Sequence, residues 1–198
     1  LQGALGALTV VNLLPSDVVT THLLLALTLV AVMSGLVQRL LTPGGLTSPV
    51  WWRLMAMGSL FSVFAQSFLG GQMATGWMTQ RCLSQGLNCE GLFLHRSSAI
   101  FVACFISVFV LTSLFYGGWP RSQWPFLLAV SALLSVQIAL GIFSVQFGLA
   151  KPLLTVGHQL VAALLVAFLA ALGLRSPTTS FSNYLPSTDK NLYRPCHG

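Results

Sequence analysis

Acidic side chains are almost missing. The 198-residue chain holds three, Asp17, Glu90 and Asp189, and only 6% of its residues carry a charge of either sign. Soluble domains carry about 25% charged residues, so a solvated globular surface is excluded. None of the three acids lies within an apolar run, which leaves no carboxylate site inside the apolar part of the chain. Clustered positive charge is lacking as well. The formal charge is +6, but the cations stand singly between apolar stretches, so no nucleic-acid partner is expected. The first 15 residues lack the basic leader of a signal peptide.

What the chain has is apolar length. Hydrophobic residues make up 55% of it and the mean hydropathy is +0.83. A hydrocarbon layer about 30 Å thick takes roughly 20 apolar residues per helix. Five windows of that length are expected to span, at about 18–38, 54–76, 93–116, 125–147 and 153–174. Leu1–Leu14 is apolar too, but at 1.5 Å per residue it reaches about 21 Å. It is expected to be the remainder of a helix whose start is missing. The expected fold class is therefore all-α, a polytopic transmembrane helical bundle.

Arg39, Arg53, Arg121, Arg175, Lys190 and Arg194 fall on one side of these spans, and Arg81 and Lys151 on the other beside Asp17 and Glu90. The positive-inside rule then places the C-terminal tail in the cytoplasm and the 77–92 loop outside. Within that loop, Cys82 and Cys89 bound the stretch CLSQGLNC. A disulfide is permitted there, with two unpaired loop thiols as the alternative. Cys104 is a core residue by position, and Cys196 a tail thiol. The tail 175–198 is polar with three prolines and is expected to be loosely ordered.

The spans repeat. Gln2, Leu5 and Gly6 match Gln137, Leu140 and Gly141, and Gln66, Leu69 and Gly70 form a looser copy. Each copy is followed by a helix that carries a histidine: His22, His158 and His95 respectively. The unit is a helical hairpin with a Gln-x-x-Leu-Gly helix, an outer loop, and a histidine within about two turns of the next helix's outer end. Ala26, Ala99 and Ala162 each stand four residues after the histidine, on its face, leaving room for a flat ligand. Gly91 and Ser98 share the face of His95. Small residues there serve plain helix packing equally well.

An ionisable residue inside a span points to function, although any one of these histidines alone is explained by an interhelical hydrogen bond. Three in repeated context favour metal ligation, with two imidazoles from separate helices gripping one haem iron. His95 and His158 are the expected pair. Arg96 follows His95 and suits a propionate, or simply snorkels to the interface. His22 would need a partner from a hairpin before Leu1.

The Gln-x-x-Leu-Gly repeats, CLSQGLNC, LHRSSA (94–99) and GHQLVAALL (157–165) resemble the haem A synthase family, from Leu1 to about Leu174. The resemblance implies eight helices in two pseudo-symmetric four-helix bundles. It implies a remnant of the N-terminal bundle at 1–41, a cytoplasmic linker at 42–53 and a C-terminal haem b bundle at 54–174. His95 and His158 would be the haem b ligands, and Cys82 and Cys89 a disulfide. The N-terminal half would oxidise a ring methyl of the substrate haem O to a formyl group. Only His22 of its two histidines has a match, and the family's glutamate before the other histidine has no counterpart, so the chain alone is expected to be inactive. Expected partners are haem O synthase, an electron-transfer protein, membrane lipid and a second copy of the chain. Two other classes stand beside this one: a haem b electron-transfer cytochrome, and a transporter, which would need helices broken at mid-membrane.

Overall fold

In the computed structural model, residues 1–11, 15–41, 47–73, 89–147 and 151–177 are described. They form seven helices and, among the described residues, no strand: α1 (Gln2–Val11), α2 (Ser16–Leu41), α3 (Val50–Met73), α4 (Glu90–Tyr116), α5 (Gly118–Ser122), α6 (Trp124–Gln146) and α7 (Pro152–Leu174). Five of them, α2, α3, α4, α6 and α7, are long and apolar enough to cross a membrane. All five run without a break.

The helix starts explain where the expected spans fall short. Asp17 and Glu90 sit in the first turns of α2 and α4. Charges end an apolar window, yet a carboxylate in the first turn is favourable against the positive end of the helix dipole. Proline opens α6 and α7, where its missing N–H costs nothing. Helix α3 likewise starts at Val50 and takes Arg53 into its first turn. The short α5 follows a turn at Gly117 and Gly118, whose φ values of 81° and 56° favour glycine.

Helices α3, α4, α6 and α7 close a four-membered ring. Helix α3 packs on α4 and α7, and α6 packs on the same two, so α4 and α7 stand diagonally across the bundle. Helix α2 lies outside the ring against α7 and α3, and carries α1 on its far side.

One end of the ring is tightly filled. Trp52 is fully buried, packs edge-on against Phe109 (5.1 Å between centroids, 66°) and Trp119 (5.0 Å, 62°), and donates its indole N–H to the Leu172 carbonyl at 2.8 Å. The other end is not. No residue of α4 from Glu90 to Phe105, and none of α7 from Pro152 to Leu164, is fully buried. All of the histidines in the helices belong to that second end.

The Trp52 end therefore carries the stability of the ring. Trp52→Phe keeps the ring contacts and loses the hydrogen bond, for an expected cost of about 1 kcal/mol. Trp52→Ala is expected to cost about 3–5 kcal/mol. Thermal unfolding of the purified protein in detergent, read for both variants side by side, checks the order.

Candidate functional site

Each hairpin builds the same contact from its own two helices. In the first, the Gln2 amide nitrogen lies 3.1 Å from the His22 carbonyl and 3.4 Å from its ring Nε2. In the α3–α4 hairpin, the Gln66 amide donates to the His95 carbonyl at 2.7 Å and lies 3.1 Å from Nδ1 and 3.5 Å from Nε2. In the α6–α7 hairpin, the Gln137 amide lies 3.1 Å from His158 Nε2, while His158 Nδ1 donates to the Gln137 carbonyl at 3.1 Å. A buried imidazole without such a partner would be costly.

The glycine of the repeat sets how close the ring can come. A Cβ on Gly6, Gly70 or Gly141 would stand 3.2, 3.1 or 3.2 Å from Cε1 of His22, His95 or His158. The imidazole edge thus rests on bare helix backbone in all three hairpins. The sequence pattern contains this glycine, although it points first to Ala26, Ala99 and Ala162 as the small neighbours of the ring. The glutamine contact is the interhelical hydrogen bond that the sequence allows each histidine. Its signal was present: a Gln and a Gly four residues apart share one helix face.

Ser98, expected to leave space for a ligand or to serve helix packing, has its hydroxyl 2.7 Å from the Leu94 carbonyl and 2.8 Å from Gln66 Oε1. Gly91 faces Met73 across the hairpin. Arg96 is exposed, one position round the helix from His95. His22 belongs to the hairpin outside the ring, apart from the other two.

His95 and His158 lie on the diagonal helices α4 and α7 at the same end of the ring. Among the described residues, no three His, Cys, Asp or Glu gather into a set that could hold a metal ion unaided. Two imidazoles suit a metal whose remaining bonds come from elsewhere, as a porphyrin supplies them. Cys89 is disulfide-bonded; Cys82, its expected partner, lies outside the described residues, as do the loop around it and His197 and Cys196 of the tail. Cys104 is a free thiol exposed on the side of α4, rather than the core residue expected, because it lines a shallow hollow with Ser62 of α3 and is not packed inside the ring.

Residues 1–170 match the family described as cytochrome oxidase assembly protein (COX15-CtaA). The chain belongs to this family. The match spans every hairpin of the repeat and agrees with the resemblance to haem A synthases carried by the motifs. No curated protein and no solved structure matches the chain. A role in cytochrome oxidase assembly, in a multi-pass membrane protein, thus rests on the family together with five helices long enough to span.

The glycine contact is open to a direct check. Gly141→Ala is expected to push the His158 ring and cost about 1–3 kcal/mol by overpacking. Gly157→Ala, one residue before the same histidine, meets Leu140 at an ordinary 3.6 Å and is expected to stay within about 0.5 kcal/mol of the parent. Paired unfolding curves in detergent separate the two, and equal losses would reject the close-approach account.

Proposed function

We propose that the chain works in the reaction of a haem A synthase, a membrane oxidoreductase that converts a ring methyl of haem O to a formyl group. In this reading the α3–α4–α6–α7 ring binds a haem b between His95 and His158. The observation that carries it is the pairing of two clamped imidazoles on diagonal helices, at the end of the ring where α4 and α7 bury no residue fully.

The residues present fit such a group. The imidazoles are held by their own hairpins, so neither needs the other half of the bundle to orient it. Gln137 Oε1 is buried at the site with no hydrogen-bond partner, a polar group that a ligand or its water could satisfy. Iron held there would supply one-electron transfer, chemistry for which side chains are poorly suited. The protein's part is to fix the two imidazoles, to keep the surroundings apolar, and to hold the bundle in register with the α1–α2 hairpin. His22, clamped in the same way, is assigned to the haem O side. Arg96, exposed beside His95, is assigned to a propionate.

Arg39, Arg53, Arg121 and Arg175 all belong to the Trp52 end, which supports a cytoplasmic position for that end and an outer position for the histidines and Cys89. Haem O synthase, an electron-transfer protein and a second copy of the chain are the proposed partners.

A reduced-minus-oxidised spectrum of the purified chain tests the haem assignment. A low-spin b-type signal is expected in the parent and lost from both His95→Ala and His158→Ala; its survival in both would reject these ligands. Haem A accumulation in cells that express the complete gene with a haem O source tests the reaction itself.

A further inference from the structure

The cationic end of the ring holds no anion of its own. Among the described residues the acidic side chains, Asp17 and Glu90, open α2 and α4 at the histidine end, so the arginines of the Trp52 end meet no carboxylate there. Arg175 is engaged within the fold, bonded to Gln38 and laid over the Phe126 ring. Arg121 is not: its guanidinium is exposed and makes no hydrogen bond or ion pair with a described residue.

The backbone that carries Arg121 is nonetheless fixed. After the glycine turn at 117 and 118, Trp119 and Pro120 are buried, with the Trp119 ring 5.0 Å from that of Trp52. Gln123 is buried on the other flank, and its amide donates to the Ser122 hydroxyl at 2.8 Å. With both flanks held, Arg121 and Trp124 border one open cleft of about 610 Å³, lined also by Leu114 and Phe115. Its apolar side continues along the spanning helices. Phe115 stands one turn from Leu111 on α4, and Trp124 one turn from Leu128 on α6, all four half exposed or more.

A guanidinium at the mouth of an apolar slot matches a phosphate diester joined to hydrocarbon. Tryptophan at the same level is suited to the headgroup region, where its ring is apolar and its N–H is wet. We propose that this cleft seats one anionic phospholipid of the leaflet at the Trp52 end, with its phosphate on Arg121 and an acyl chain along Leu111 and Phe115 of α4 and Leu128 of α6. The lipid bridges the adjoining ends of α4 and α6. The seat lies at the opposite end from the histidines and does not rest on the haem reading.

Native mass spectrometry of the chain in mild detergent, titrated with dioleoylphosphatidylglycerol or dioleoylphosphatidylcholine, tests the seat. The parent is expected to hold one phosphatidylglycerol about tenfold more tightly than phosphatidylcholine, as one charge-assisted contact allows. Arg121→Gln is expected to lose that preference, and Arg121→Lys, which keeps the charge, to retain most of it. Arg39→Gln, exposed at the same end but outside the cleft, is expected to stay within about threefold of the parent. Equal binding of the two lipids by the parent, or an unchanged preference in Arg121→Gln, would overturn the proposal. So would equal losses in Arg121→Gln and Arg39→Gln, the mark of diffuse attraction, or release of the lipid by millimolar inorganic phosphate, the mark of a site for free anions.

Discussion

An imidazole inside an apolar bundle must find a hydrogen-bond partner, and here the partner always comes from the preceding helix of the same hairpin. Gln2, Gln66 and Gln137 each reach the histidine that follows across one loop, while Gly6, Gly70 and Gly141 let the ring edge come down onto the backbone. Each histidine is thereby held within its own hairpin, although Gln2 Oε1, His22 Nδ1 and Gln137 Oε1 stay buried without a hydrogen-bond partner among the described residues. No hairpin depends on another to hold its histidine.

The rest of the ring divides accordingly. Buried residues of α4 run from Ile106 to Ser113, and those of α7 from Leu165 to Gly173. Both sets lie toward the Trp52 end. Dispersion and aromatic packing there hold the four helices together, so α4 and α7 need no fully buried residue at the histidine end for the ring to hold.

Much of this could be read from the chain alone, and the parts that could not have physical reasons. The spans, the hairpin repeat and the three histidines were visible because each depends on local periodicity or spacing. The starts of α2, α3 and α4 were not, since Asp17, Arg53 and Glu90 break an apolar window while fitting a helix's first turn. The site's finer chemistry crosses from helix to helix. Ala99 and Ser98 are neighbours of His95 along its own helix, whereas the residues that position the ring, Gln66 and Gly70, come from the other helix of the hairpin. The diagonal placement of α4 and α7 has no signature within any one segment; it follows from which faces pack, and that is settled only when all four helices meet.

The way α2 docks carries this one step further. Its buried residues, Thr20, Leu27, Gly35 and Gln38, mark a single stripe along the helix. Ser34 beside that stripe donates to the Ala167 carbonyl at 2.7 Å, and Gln38 accepts from Arg175, whose guanidinium also lies over Phe126. At the histidine end Thr20 packs against Gly71 so closely that a Cβ there would stand 3.0 Å from its hydroxyl. Gly71 adjoins Gly70, which bears the His95 ring, and Thr20 lies two residues before His22. The two histidines are therefore linked through one tight contact between α2 and α3, with hydrogen bonds fixing the same helix at its far end. A small residue at 71 is what lets α2 close on α3 to this spacing, so the separation of His22 from His95 is set by packing between the two helices.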